Sequence, residues 1–133
     1  MNRCDAISEK GFGEEIEDED ELYRRIHPDW IKSCGKISSA AFKQKTPDLS
    51  VNIARLTTPE KTLYGYPRHG LGSLPAGTFR IEKLEIYHVP VSCNYAHAIV
   101  YGKITDAMAK RVADSAKLIC ENLSLLQNAK FHD

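Results

Sequence analysis

An acidic run near the N-terminus divides this chain into two parts of opposite charge. Residues 1–21 hold nine carboxylates and two basic side chains, a net charge of −7, and because the whole sequence of 133 residues is neutral, residues 22–133 carry +7. Ile16 is the one apolar residue between Glu14 and Glu21, so this run buries too little surface to offset the entropy lost on ordering. The sequence therefore predicts a flexible acidic arm over residues 1–21 and one globular domain over residues 22–133.

The opposite charges allow two interpretations of the arm. It is either a solubilising tail, as charge blocks usually are, or a segment that folds back over a basic face and competes with an acidic partner. Residues 22–61 hold eight Lys and Arg side chains against three carboxylates, and Trp30 and Phe42 lie among them. Cations mixed with aromatic side chains suit single-stranded nucleic acid, but no RRM, KH or helix-turn-helix signature is present. Nucleic acid is therefore a candidate partner, and a solvated surface is the alternative interpretation.

Strand patterns dominate the middle of the chain. Leu49, Val51 and Ile53 alternate with polar or small residues, which is the period of a half-buried strand. Residues 65–77 are rich in glycine and proline, which predicts a loop. Later segments rich in β-branched and aromatic residues predict further strands that follow one another as an antiparallel meander. The predicted strands cover residues 49–56, 78–81, 84–91 and 96–104, with a short strand or turn over residues 22–27.

A C-terminal helix completes the predicted fold. Apolar residues recur at spacings of three and four from Asp106 to about Leu126, which places them on one helix face with Ile119 near its centre. The fold class predicted from these elements is α+β: a small, mainly antiparallel sheet, a C-terminal α-helix packed on it and the acidic arm.

No segment of the sequence suggests a membrane or a targeting signal. No stretch approaches the ~20 consecutive apolar residues of a membrane span, and the first residues lack the apolar core of a signal peptide. We therefore predict an intracellular, cytoplasmic protein with no membrane partner. A chain of this length buries roughly two-thirds of its unfolded surface, so its folding requires no metal or disulfide, and we expect no cofactor.

A metal site has weak support in the sequence. The four cysteines are scattered and form no C-x-x-C pair, which excludes a zinc-ribbon or zinc-finger pattern. His88, Cys93 and His97 lie on the two arms of a predicted hairpin and are ligand types that suit zinc. Their spacing matches no standard motif, so ordinary packed or surface residues are the favoured interpretation.

A cluster of basic and hydroxyl side chains is the main candidate for chemistry. Arginine binds anions with two parallel hydrogen bonds, and histidine exchanges protons near neutral pH, so the cluster suits a phosphate or a dinucleotide. The favoured alternative is a strand edge with solvated arginines. The candidate catalytic residues are Arg24, Arg25, His27, Ser38 and Ser39, and the candidate ligand-binding residues are Arg24, Arg25 and Lys43.

Four segments resemble small bacterial proteins of uncharacterised function. They are Leu22 to Pro28, Ser38 to Phe42, Leu49 to Ala54 and Ala96 to Lys103, and the likeness spans roughly residues 22–120. A fainter similarity is to the RES domain, an NAD-consuming toxin fold related to ADP-ribosyltransferases. This likeness rests on an aromatic-arginine segment near a proline, followed by a strand and a Ser/Thr-Pro turn. It implies that Arg24 or Arg25 corresponds to that family's arginine.

Two functional classes follow from these observations. The favoured one is a small interaction or regulatory module with a protein partner, because no complete catalytic constellation is present. The alternative is an enzyme or a binder for a nucleotide-like anion, either NAD or an RNA-related ligand, centred on Arg24, Arg25 and His27.

Overall fold

A six-stranded antiparallel sheet forms the centre of the molecule in a computed structural model, which describes residues 13–44 and 46–120. The strand order is β4-β5-β2-β1-β3-β6, and every neighbouring pair is antiparallel. The predicted α+β class with a mainly antiparallel sheet is confirmed. The strands are β1 (Glu21–Ile26), β2 (Asp48–Ile53), β3 (Gly70–Pro75), β4 (Glu85–His88), β5 (His97–Tyr101) and β6 (Lys117–Cys120).

Six short helical elements within the described residues connect and cover these strands. None of the helices within residues 13–44 and 46–120 has the length and apolar character that crossing a bilayer requires. The α-helices are α1 (Pro59–Thr62), α2 (Ala76–Ile81) and α3 (Asp106–Ser115), and the 3₁₀ helices are Pro28–Trp30, Ser39–Phe42 and Ala54–Leu56.

The hydrophobic core lies on one face of the sheet. Successive residues of a strand point to opposite faces, so Leu22 and Ile26 of β1 face the core, where both are fully buried. Helices α2 and α3 and the 3₁₀ helix Ser39–Phe42 complete this side, and the rings of Phe42 and Phe79 meet with centroids 6.3 Å apart. The opposite face, which we call the outer face, carries more polar side chains and is covered by α1 and by loops.

The C-terminal helix is shorter than the periodicity predicts. Helix α3 begins after Thr105, whose hydroxyl accepts a hydrogen bond from the Met108 amide at 3.2 Å, and ends at Ser115. Ala116 is extended, and the chain continues as β6, which pairs with β3. Ile119 therefore lies on an edge strand, 50% exposed, and its prediction as a core residue was wrong. The last part of the predicted helix, residue 121 to about Leu126, lies outside the described residues.

The glycine- and proline-rich segment also differs from its prediction. Residues 70–75 form β3, a strand inside the sheet between β1 and β6, and not a loop. Gly72 allows close packing there, since a Cβ atom would lie 3.0 Å from Ile37 Cδ1 and 3.2 Å from Ile26 Cδ1 and both side chains would have to shift. Residues 78–81, predicted as a strand, belong to α2, which begins at Ala76.

The described part of the acidic segment is packed against the domain. Ile16 is 8% exposed and belongs to the core. The amides of Ala76 and Gly77, in the first turn of α2, donate to the carbonyls of Asp20 and Asp18 at 2.8 and 2.9 Å. The prediction of a flexible arm is therefore corrected for residues 13–20, whose carbonyls satisfy the free amides of a helix start. Residues 1–12 lie outside the described residues.

Arg55 is the main electrostatic attachment of this segment. Its guanidinium meets Glu14 Oε1 at 3.1 Å, Asp20 Oδ1 at 3.2 Å and the Glu15 carbonyl at 2.8 Å. Glu14 also accepts a hydrogen bond from the Tyr95 hydroxyl at 2.7 Å. The hydrogen bonds from Tyr95 and Arg55 lower the pKa of the Glu14 carboxyl. The pKa of the Glu14 carboxyl is lower in the folded protein than its unfolded value of 4.5, so the ionised carboxylate stabilises the docked segment above pH 4.5. This stabilisation is lost as the pH falls from 4.5 through the lowered pKa.

We expect Arg55→Ala to speed amide hydrogen exchange several-fold within residues 14–20 and to leave exchange in β1 and β3 unchanged. Exposed ion pairs contribute up to about 1 kcal/mol each. Since a free-energy change of about 1.4 kcal/mol alters an equilibrium constant tenfold, the loss of such pairs raises the population of the open segment several-fold. Arg111→Ala is the matched control, because Arg111 pairs with Glu82 on another part of the surface. Equal protection of residues 14–20 in wild type and Arg55→Ala would show that the apolar contacts of Ile16 alone hold the segment.

Candidate anion-binding groove

The candidate site lies where β1 and β2 separate. The two strands pair only at Leu22 with Ile53 and at Tyr23 with Asn52, although both strands continue beyond these pairs. Past Tyr23, the side chain of Arg24 occupies the opening between them. Its Nε donates to the Ala41 carbonyl at 2.9 Å and its Nη1 to the Ser50 carbonyl at 2.8 Å. Arg24 thus replaces backbone pairing at this point.

The environment of Arg24 is that of a structural cation. Burial, with a smaller contribution from the neighbouring charge of Arg25, lowers the pKa of the Arg24 guanidinium to about 10. No carboxylate pairs with it among the described residues. β1 is an inner strand, so the predicted strand edge is wrong.

Arg25 points to the outer face, where it is accessible. Its guanidinium carbon lies 4.2 Å from the centroid of the Tyr66 ring, and its Nη1 donates to the Thr62 carbonyl at 3.2 Å. A cation over an aromatic face is stabilised by the ring quadrupole. These contacts fix the direction of the guanidinium and leave donors for a ligand.

Two connected pockets form a groove over the outer face beside Arg25. The inner pocket has a cavity volume of about 30 Å³ and the outer pocket about 360 Å³, and Arg25, Asn52 and Thr62 line both. The first volume accommodates about one water molecule, and the second lies in the range of small-ligand sites. We call these two pockets together the β1–β2 groove.

A row of paired residues forms the floor of the groove. Tyr23 on β1 pairs with Asn52 on β2, which pairs with His97 on β5, so all three side chains lie on the outer face. The amide of Asn52 donates to Thr62 Oγ1 at 3.2 Å and accepts from Asn94 Nδ2 at 2.9 Å. These bonds connect the floor to α1 and to the loop before β5.

The outer pocket has a positive lining. Arg25 and Lys61 both line it, no carboxylate does, and neither has a carboxylate partner within the described chain. Several other surface arginines behave differently, because each of them meets a carboxylate within 3.2 Å. These paired arginines are Arg55, Arg80 and Arg111. Unlike these three arginines, Arg25 and Lys61 therefore bring positive charge to the pocket without a carboxylate to compensate it.

Two histidines pack together next to Tyr66, the ring that Arg25 contacts. His27 and His69 pack edge to face with ring centroids 5.3 Å apart, and His69 also meets Tyr66 at 5.1 Å. Burial, followed by the Coulombic influence of His27 and Arg25, lowers the pKa of His69, which favours the neutral form of this ring. His27 does not line the groove. Its Nδ1 accepts from the Asp29 amide at 3.0 Å and begins the 3₁₀ helix Pro28–Trp30.

The other predicted site residues lie apart from the groove. Ser38 caps the 3₁₀ helix Ser39–Phe42 by accepting from the Ala40 amide at 3.2 Å, and this helix packs against α3. Lys43 pairs with Asp106 at 3.5 Å. Of the predicted cluster, the structure therefore brings Arg24 and Arg25 to the groove and places Ser38, Ser39 and Lys43 elsewhere.

The weak metal candidates do not converge. His88 pairs with Ala98 on β5 and so shares a sheet face with it, whereas His97 lies on the opposite face. Both ring nitrogens of His88 are engaged, one by the Glu14 amide and one by the Tyr95 carbonyl, each at 2.6 Å. Cys93 is disulfide-bonded. Across residues 13–44 and 46–120, no group of three His, Cys, Asp or Glu residues has the geometry of a metal site.

Several groove residues were missed at the level of sequence. Asn52, Lys61 and Thr62 carry no recognisable motif, and their positions depend on strand pairing and on α1. One signal was present: the alternation along β2 places Ser50 and Asn52 on the polar face of that strand.

Comparison with protein-family profiles, with curated protein sequences and with solved structures finds no match to this chain.

Proposed function

We propose that the β1–β2 groove binds a phosphate-bearing, nucleotide-like anion. The observation that carries this proposal is the pair Arg25 and Lys61, two accessible cations that line one pocket and lack carboxylate partners among the described residues. Arginine matches the geometry of phosphate oxygens, and lysine adds a compact charge. Elsewhere on the surface, Glu82, Asp18 and Asp20 compensate the charge of arginines. A bound phosphate group would compensate the charge of Arg25 and Lys61 in the same way.

The remaining lining supports a nucleotide more than a bare phosphate. Tyr64, 86% exposed, lines the outer pocket and offers an aromatic surface on which a base can stack. Asn52, Asn94 and Thr57 add hydrogen-bonding groups that suit a ribose or a base edge. The volume of about 360 Å³ fits a ligand of mononucleotide size better than a peptide or an extended nucleic acid.

The groove favours the second of the two functional classes predicted from the sequence. An interaction module with a protein partner needs a surface complementary to another protein, whereas this site is a concave pocket with converging polar groups. The bacterial setting and the cytoplasmic location remain predictions from the sequence. The RES-like resemblance agrees with a nucleotide ligand and remains an interpretation.

We expect AMP and ADP to raise the melting temperature and to give a measurable dissociation constant by calorimetry, because a ligand that binds only the folded state stabilises it. Arg25→Ala and Lys61→Ala should each weaken binding about tenfold or more, since a hydrogen bond to a charged group contributes about 1.5–3 kcal/mol. Binding should also weaken as salt is raised from 50 to 300 mM.

Arg111→Ala is the matched control for this experiment. It removes one positive charge at a distant surface position where Glu82 holds the guanidinium at 2.7 Å, so it should leave nucleotide affinity unchanged. Equal losses in Arg111→Ala and Arg25→Ala would indicate attraction to the overall charge, and absence of binding by AMP, ADP and NAD at millimolar concentration would refute the proposal.

A further inference from the structure

A serine and a histidine meet in the inner pocket of the groove. Ser50 on β2 and His97 on β5 both line this pocket, and Ser50 Oγ lies 3.3 Å from His97 Nε2. The catalytic candidates predicted from the sequence include neither residue, because Ser50 has no motif around it and His97 was named as a metal candidate.

The hydrogen bonds of His97 define which ring nitrogen carries the proton. Its Nδ1 lies 2.8 Å from the Val89 carbonyl, and a carbonyl oxygen accepts and never donates. The neutral ring therefore carries its proton on Nδ1 and presents a lone pair at Nε2. That lone pair accepts the hydroxyl proton of Ser50, which leaves Ser50 as the donor in this contact. The arrangement is that of a nucleophile, a base and a carbonyl that orients the base.

Two arginines line the inner pocket together with Ser50. The Arg24 guanidinium lies against the backbone of the same residue, with Nη1 2.8 Å from the Ser50 carbonyl, and Arg25 lines both pockets. Cations that are fixed before reaction stabilise the charge that develops on the oxygens of a transferring phosphoryl group. The inner pocket, at about 30 Å³, has room for about one water molecule, so a substrate would approach Ser50 from the outer pocket.

We propose that Ser50 and His97 cleave a phosphoester of the ligand that the groove binds. This inference rests on the proposed function, since the outer pocket must hold the rest of the substrate. In the first step, Ser50 Oγ forms a bond to phosphorus and the bond to the leaving alcohol oxygen breaks. The Oγ proton passes to His97 Nε2 and then to that oxygen. In the second step, His97 removes a proton from water, the water oxygen bonds to phosphorus, and the Oγ–P bond breaks as Oγ regains a proton.

The test begins with trapping by diisopropyl fluorophosphate, a neutral probe. Its P–F bond breaks as Oγ bonds to phosphorus, fluoride leaves, and His97 takes the proton. Intact mass and peptide mass spectrometry should find one phosphoryl adduct, on Ser50, in the folded protein and none after heat unfolding. Ser38 and Ser73 are internal controls, because both hydroxyls make other hydrogen bonds and neither approaches a histidine nitrogen in the described structure.

Two variants separate a catalytic pair from a merely structural hydrogen bond. His97→Asn keeps an amide donor that reaches the Val89 carbonyl but has no base at the Nε2 position. It should slow labelling of Ser50 by at least about 100-fold, the lower range of general-base catalysis. Ser50→Ala should remove the adduct and retain the fold by circular dichroism, because the contact with Arg24 uses the Ser50 carbonyl.

The same variants are then assayed with p-nitrophenyl phosphate. Wild type should release p-nitrophenolate, and Ser50→Ala and His97→Asn should each reduce turnover at least about 100-fold. An unlabelled Ser50 in wild type, or equal labelling in His97→Asn, would overturn the proposal.

Two separate readouts keep this result distinct from the test of nucleotide binding. Labelling by the neutral probe is measured in the absence of nucleotide, and Arg111→Ala is its matched control, because Arg111 pairs with Glu82 outside the groove and its loss should leave the labelling rate of Ser50 unchanged. Labelling without nucleotide binding would refute the proposed function alone. Nucleotide binding without labelling would refute the catalytic pair alone.

Discussion

Phe79→Ala is expected to lower the free energy of unfolding by about 3–5 kcal/mol, the usual cost of truncating a buried phenylalanine. Phe79 on α2 is fully buried and packs against Phe42 at a ring distance of 6.3 Å. It connects the helix to the core beneath the sheet, and the cavity left by the missing ring would lie where α2 and the 3₁₀ helix Ser39–Phe42 meet. Chemical denaturation followed by circular dichroism measures this effect.

Ile81→Ala is the matched control because it truncates another apolar residue of the same helix. Ile81 is 78% exposed, so its loss should change stability by less than about 0.5 kcal/mol. A similar loss of stability in the two variants would contradict this structure of α2, in which Phe79 is buried in the core and Ile81 is exposed.

Arg24→Met is expected to lower the free energy of unfolding by about 2–4 kcal/mol. Methionine retains much of the apolar stem of arginine and removes its donors, so the carbonyls of Ala41 and Ser50 lose their partners. A buried acceptor left without a hydrogen bond costs about 1–3 kcal/mol. Equilibrium denaturation measures the loss.

Arg25→Met provides the comparison at the adjacent position. Its guanidinium makes one backbone hydrogen bond, at 3.2 Å, and otherwise faces the groove, so we expect a loss of under about 1 kcal/mol together with weakened nucleotide binding. A stability loss at Arg25 equal to that at Arg24 would contradict the division into a structural and a ligand-facing arginine.

Strands whose own residues decide their structure were predictable from sequence. The alternation over Leu49, Val51 and Ile53 predicts β2, which ends at Ile53. Pro28 predicts that a short strand or single turn ends at His27, and the strand β1 ends at Ile26. Along β2, the local period and the strand in the structure depend on the same alternation between core and outer face.

Elements that depend on distant partners were not predictable. Glycine and proline disfavour a strand over Gly70–Pro75, yet β1 on one side and β6 on the other satisfy its backbone. Helix α2 begins where Asp18 and Asp20 supply carbonyl acceptors from almost 60 residues away. The C-terminal periodicity continues beyond Ser115, but the free edge of β3 draws residues 117–120 into the sheet.

The candidate site shows the same division. The arginines of β1 stood out because adjacent cations near an aromatic residue are visible in the sequence. The partners Asn52, Lys61 and His97 were not identified with them, because only the pairing of three strands and the position of α1 bring them together. Lys43 and Ser38 were grouped with the arginines by proximity in sequence, which strand and helix geometry does not preserve.

The short pairing of β1 with β2 has a mechanical consequence. One half of the sheet is β4-β5-β2 and the other is β1-β3-β6, and only two residue pairs join β1 to β2, compared with six between β1 and β3. This seam has the fewest residue pairs between neighbouring strands of the sheet, so we expect it to be the most compliant line across it, and the groove lies along it. A ligand that touches Arg25 on one half and Asn52 on the other would act as a clamp, so its binding should damp the relative motion of the two halves.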